Sequence, residues 1–145
     1  MIKNLDHINI VVSDLQKAKI FFLDLGFVEV TSAYLSGKQL STVTGLPDIE
    51  AEFIALSLAG SSTNVELIQY YSPTGGRDPE MSRPNQLGFR HVAFEVEDIE
   101  KEVERLKSKG VKFESDIQTW EKTGKKLVYF YGPEGIILEF AQYPK

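Results

Sequence analysis

Residues 5–12 alternate: Leu5, His7, Asn9 and Val11 fall on one side of an extended chain and Asp6, Ile8, Ile10 and Val12 on the other, the two-residue period of a strand. The spacing then changes to that of a helix, with Leu15, Ala18, Phe21, Phe22 and Leu25 recurring on one face, Ser13 or Asp14 as its cap and Gly26 as its stop. A second strand is expected at 27–31. Residues 33–50 show neither period, and Gly37, Gly45 and Pro47 mark turns within them. Residues 52–58 and 64–71 read as a hairpin. Residues 72–87 hold three of the six prolines and almost no apolar side chains, so they read as a linker. Beyond it, 89–96 is expected as a strand and 98–109 as an amphipathic helix. Ile99, Val103 and Leu106 face inward in that helix, while Glu100, Lys101, Glu104, Arg105, Lys107 and Ser108 stay solvated. Gly110 ends it, and strands follow at 111–115, 126–131 and 136–143, the last two joined by a Gly132-Pro133-Glu134-Gly135 turn.

The pattern occurs twice. LDHINIVVSDL at Leu5 and FRHVAFEVEDI at Phe89 align without a gap, placing His7 and His91 84 residues apart in equivalent strands. VELIQY at Val65 and LEFAQY at Leu138 align as the last strand of each copy, with Glu66 and Glu139 73 residues apart. The offset falls from 84 to 73, so the first copy carries eleven more residues, assigned to 33–50. Each module therefore reads β-α-β-β-β. Residues 1–145 form one domain of two modules, about 1–72 and 88–145, with the linker between them.

Length and composition narrow the chemistry. With 42% hydrophobic and 26% charged residues in 145, the chain has the make-up of one globular domain. The absence of cysteine removes disulfides, thiolate nucleophiles and Cys-type zinc sites, so any metal must be held by nitrogen and oxygen. A net charge of -5 argues against nucleic-acid and anionic-membrane surfaces and for a small-molecule partner. No apolar run is long enough to cross a bilayer and the first residues lack the features of a signal peptide, so a cytoplasmic location is expected.

A carboxylate in the middle of an apolar strand is costly unless it is paired or coordinates a metal. His7 shares its strand face with Leu5 and Asn9, Glu66 with Ile68 and Tyr70, His91 with Ala93 and Glu95, and Glu139 with Ile137 and Ala141. A lone strand histidine is more often a hydrogen-bonded core residue, and either glutamate alone could sit at a wet edge. The only two histidines matched by two repeat-equivalent glutamates favour a shared site. Facing modules would offer two imidazoles and two carboxylates to zinc, nickel, cobalt, iron or manganese.

With these motifs, together with YGPEGIILEF at Tyr131, the chain resembles the vicinal oxygen chelate superfamily, which includes glyoxalase I, methylmalonyl-CoA epimerase, extradiol dioxygenases, fosfomycin-resistance enzymes and metal-free bleomycin-binding proteins. The resemblance implies an α+β fold in which two paired βαβββ modules form a curved, mostly antiparallel eight-stranded open barrel around a cleft. It implies one divalent metal held by His7, Glu66, His91 and Glu139. A two-His, two-Glu set is similar to that of glyoxalase I or the epimerase. That similarity implies a lyase or isomerase acting on a small α-carbonyl compound or thioester through a metal-bound enediolate, with Glu139 or Glu66 as base. Glu52 is a weaker second base. Asn9, Tyr70 and Arg77 are expected at the substrate, and Arg83 joins Arg77 in the linker. An Fe(II) dioxygenase is the alternative enzyme. A metal-free drug- or ligand-binding protein, with Tyr34, Phe53, Tyr70, Trp120, Tyr129 and Tyr143 as its pocket, is the alternative of another class. The family resemblance and open sheet edges also imply a homodimer.

Overall fold

The alternating segment that opens each repeat becomes an edge strand, paired in parallel with the strand that closes the repeat. In the computed structural model, which describes residues 1–145, two compact units appear, Met1–Arg77 and Asp78–Lys145. In the first, β1 (His7–Val11) leads through α1 (Leu15–Asp24) to β2 (Val28–Ser36), α2 (Lys38–Thr44), β3 (Glu50–Ser57) and β4 (Asn64–Ser72), with sheet order β1-β4-β3-β2. In the second, β5 (His91–Glu95) leads through α3 (Ile99–Ser108) to β6 (Gln118–Trp120), β7 (Lys125–Tyr131), a 3-10 turn (Pro133–Gly135) and β8 (Ile137–Gln142), with order β5-β8-β7-β6. The fold is α+β, with two mixed four-stranded sheets whose other pairings are antiparallel.

Each sheet buries one face under its helix. α1 packs on β3 and β4, burying Leu15, Ala18 and Phe22, and Phe22 meets Phe27 edge-on at 5.4 Å. On the sheet below, Ile54, Leu56, Val65 and Leu67 are buried. α3 buries Ile99, Val103 and Leu106 over β8, with the Phe130 and Phe140 rings tilted against each other at 4.5 Å in the sheet beneath. Burying one such side chain is worth about 1.5–3 kcal/mol, so these few layers dominate each unit's stability.

The helix ends repeat down to single hydrogen bonds. Asp14 and Asp98 cap α1 and α3 by accepting from the Lys17 and Lys101 amides, each at 3.0 Å. Gln69 and Gln142, the glutamines of the VELIQY and LEFAQY motifs, reach from the last strand to accept from Leu15 N at 2.9 Å and Ile99 N at 2.7 Å. Gly26 and Gly110 follow the helices at φ +99° and +83°, where a side chain would be strained.

Four expectations change. The strand expected at 27–31 runs on to Ser36 across a register shift between Glu29 and Thr31, and the patternless 33–50 stretch contains α2, a helix with no counterpart in the second unit. That extra helix accounts for the longer first copy. The strand expected at 111–115 is reduced to one bridge, Phe113 to Phe130, and the edge strand forms later at Gln118–Trp120. All three side chains of that edge strand are exposed, so backbone pairing alone defines it and no apolar period announces it. Arg105, expected in solvent, is half-buried and bonds Glu102 at 2.6 Å. No helix is long and apolar enough to cross a membrane.

Replacing Gln69 or Gln142 by Leu strips the acceptor from a part-buried helix amide. Each change is expected to lower stability by about 1–2 kcal/mol, read as a reduced midpoint in urea or thermal unfolding. Unchanged midpoints would show that the glutamine links carry no weight.

Candidate functional site

Parallel pairing sets the geometry of each histidine and glutamate. Asn9 lies opposite Glu66 in the β1–β4 ladder and Ala93 opposite Glu139 in β5–β8, so each histidine sits two residues before the position facing its glutamate and on the same sheet face. In both units this is the face away from the helix. His7 Nε2 lies 3.4 Å from Glu66 Oε2, and His91 Nε2 lies 3.1 Å from Glu139 Oε2.

The two pairs differ in surroundings. His7 Nδ1 is 2.8 Å from Asp6 Oδ2, and the pair is open, with side-chain exposures of 41% for His7 and 27% for Glu66. The hydrogen bond to Asp6 outweighs partial desolvation and, helped by the Glu66 charge, raises the His7 imidazole above its ordinary range. In the second unit Glu139 is 5% exposed, and its Oε1 accepts from Lys125 Nζ at 2.9 Å. Lys125 in turn lies 5.5 Å over the Tyr143 ring, and the Tyr129 ring lies 5.1 Å from the His91 ring. The hydrogen bond to Glu139 raises the Lys125 ammonium above its usual range despite some desolvation. Neither unit gathers three or more His, Asp or Glu side chains into a metal-binding group by itself.

Other candidates divide between the sheet faces. Asn9 stands beside Glu66, and Tyr70 lies on the same face, packed with Leu35 and Phe53 against Ile49, Ala51 and Ile68. Cross-strand register also puts Trp120 and Tyr129 on the Glu139 face. Tyr34 is not among them: it stacks on Tyr71 at 6.4 Å on the helix-side face, where its hydroxyl donates to Glu50. Glu52 is also on that face, opposite Gln69 and accepting from Tyr71 at 3.0 Å, so it cannot serve as a base beside Glu66. Arg77 donates to Ser13 Oγ at 3.4 Å, past the end of β1 remote from His7, while Arg83 pairs with Glu80 at 2.6 Å.

Pattern reading missed Asp6 and Lys125. Asp6 precedes β1, where alternation no longer dictates direction, so it reaches its neighbour's ring instead of the opposite face. Lys125 opens β7, and the one available signal was a lysine pair leading into an apolar strand.

Residues 4–140 match the Glyoxalase/Bleomycin resistance protein/Dioxygenase superfamily. An uncharacterised Bacillus subtilis protein, YwkD, is 33% identical over 141 residues, spanning 96% of both chains. Mouse mitochondrial methylmalonyl-CoA epimerase is 27% identical over 143 residues, spanning 95% of this chain and 72% of the relative. The crystal structure of a glyoxalase family protein from Bacillus cereus superposes with a TM-score of 0.91 at 29% identity, covering 100% of this chain and 97% of that one. A match over nearly the full length, on a fold built from the duplicated βαβββ unit, places the chain in the Glyoxalase/Bleomycin resistance protein/Dioxygenase superfamily.

Proposed function

We propose that the chain is a divalent-metal-dependent lyase or isomerase that acts on a small α-carbonyl compound or thioester. The observation that carries this reading is the repeated His–Glu pair. Nitrogen and oxygen 3.1 or 3.4 Å apart have the spacing of neighbouring ligands on one ion. Ligands bound at about 2.1 Å are about 3.0 Å apart at octahedral corners and about 3.4 Å apart at tetrahedral ones. The donors also suit zinc, nickel, cobalt, iron or manganese. Two donors per unit are too few for a stable site, so His7, Glu66, His91 and Glu139 would act together, within one chain or across two copies.

When bound, such an ion polarises a carbonyl oxygen and makes the adjacent C–H more acidic. The chain's own part is to hold and move the proton. Glu66 or Glu139, on the face shared with the histidines, removes it from carbon and returns it, and a carboxylate within reach of the reacting carbon is a suitable base. Asn9 and Tyr70, on the Glu66 face, would orient the substrate's polar and apolar ends. The kinship with methylmalonyl-CoA epimerase supports a thioester or related carbonyl compound.

Protein purified without chelator is expected to hold one divalent ion per complete four-residue set by elemental analysis, with loss of metal in His91→Ala and Glu139→Gln. In D2O it should exchange the proton next to the carbonyl of its substrate, seen by NMR across a panel of α-hydroxy ketones and acyl thioesters. Metal-free wild-type protein after such a purification would sink the reading. Iron with oxygen consumption on catechols would favour the dioxygenase reading instead. The half-exposed aromatics Trp120 and Tyr143 favour a second reading, a ligand-binding protein, for which affinity would survive chelation.

Asp6 fixes the His7 ring by accepting from Nδ1, leaving Nε2 as the ligand. Asp6→Asn is expected to weaken metal binding by about 10–100-fold. In the metal-free protein the same change should bring the His7 titration, followed by NMR, back down toward about 6.5. His7 is raised in the fold, so its pairing with Asp6 and Glu66 stabilises fully below the unfolded value and is lost as pH climbs through the folded one.

We also propose a homodimer, because β1 and β5 are edge strands with unpaired backbone in their own sheets. Equilibrium sedimentation should give twice the 16.3 kDa chain mass. Co-refolding His7→Ala/Glu66→Gln with His91→Ala/Glu139→Gln tells the two arrangements apart. Recovery of tight metal binding requires a site shared between chains, and no recovery requires a site within one.

A further inference from the structure

The two glutamates are equivalent in the repeat but held differently. Glu66 forms its ion pair with His7, is 27% exposed, and pairs with no lysine or arginine. Glu139 is 5% exposed and both its oxygens are engaged, Oε2 facing His91 Nε2 at 3.1 Å and Oε1 accepting from Lys125 at 2.9 Å. A buried carboxylate without a cation is strongly disfavoured. Lys125 supplies one from the opening position of β7, its stem half-buried and its ammonium resting over the Tyr143 ring. The first unit has no equivalent, since the β3 residue paired beside Tyr70, the counterpart of Tyr143, is Ala51.

We propose that Lys125 is a built-in counter-cation for Glu139, a positioning residue that presets this carboxylate with one oxygen held and the other turned to His91 before any metal arrives. The division of labour between the glutamates follows. Glu139, held at Oε1 by Lys125, would offer Oε2 to an ion. Glu66, more exposed and tied to no lysine, would be the freer of the two carboxylates to take and return a proton. The role in metal binding rests on the metal reading above. The pairing itself does not.

Lysine and metal ion neutralise the same buried carboxylate, so each should partly replace the other. In Lys125→Met the metal-free protein is expected to lose about 5 °C or more in Tm. Zinc or manganese should then raise Tm more than it does in wild type, because the ion relieves a charge the lysine no longer covers. Lys125→Arg should restore the wild-type pattern. Lys126→Met, which removes an exposed partner of Glu100 on the helix-side face, should leave the metal response unchanged. In a Glu139→Gln background, Lys125→Met should cost little. A Lys125→Met protein with wild-type Tm and metal response, or one whose Tm loss simply adds to that of Glu139→Gln, overturns the proposal. If wild type shows no response to zinc, manganese, nickel or cobalt, the metal reading falls by itself, and the metal-free comparison of single and double variants still decides whether Lys125 is the counter-cation.

Discussion

The parallel pairing of the first and last strands of each unit is the constraint on which everything else depends. It places a histidine on one edge strand diagonally beside a glutamate on the next, with both side chains on the face that the helix leaves uncovered. Strand side chains alternate, so a slip of one residue in either ladder would turn the glutamate into the apolar layer under α1 or α3. Two features oppose that slip in each unit. Val65 and Leu67 in β4, and Leu138 and Phe140 in β8, must stay under the helix. Gln69 and Gln142, on the helix side two residues past Leu67 and Phe140, reach the first helical amide only in the observed register. The glutamine that caps the helix thus also orients the glutamate three residues before it.

Duplication gives two halves with the same backbone and different electrostatics. Solvent and a neighbouring Asp6 temper the first pair, where water screens charge and the energetic stakes are modest. In the second, Glu139 is the one buried charged side chain of the molecule, and Lys125, His91 and the aromatic rings of Tyr129 and Tyr143 surround it. Losing a partner there leaves a charge that water cannot reach, a more expensive state than the loss of an exposed pair.

Most of this scaffold was legible in the sequence because periodicity, caps and repetition agreed. Strands β1, β4, β5 and β8, both long helices, and the matched His7, Glu66, His91 and Glu139 all lie where alternation and equivalence put them. The failures have physical causes. Gln118–Trp120 exposes every side chain and leaves no hydrophobic trace. Residue type alone suggests chemistry for Glu52 and Tyr34, whereas their cross-strand pairing, Glu52 with Gln69 and Tyr34 with Glu52, decides their face. Asp6 stands just before β1, where the alternation no longer sets its direction, whereas Lys125 keeps the alternation of β7 and points to the Glu139 face, so its pairing becomes visible only once distances are known.

The extra residues of the first unit acquire a purpose in the same terms. On the site face of the first sheet, Ile49, Ala51 and Ile68 are buried beneath Leu35, Phe53 and Tyr70, away from the His7 end. An apolar patch on a sheet face with no helix over it needs a cover. The extension of β2 to Ser36 supplies Leu35, and α2 turns the chain back so that Ser41 Oγ accepts from the Ile49 amide at 3.2 Å, fixing Ile49 where β3 begins. In the second unit the corresponding positions carry Lys125 and Tyr143, a cation over an aromatic ring beside a buried carboxylate. One unit therefore closes its site face with hydrocarbon and the other with charge. The asymmetry of the two glutamates follows from how each sheet solves the problem of an uncovered face.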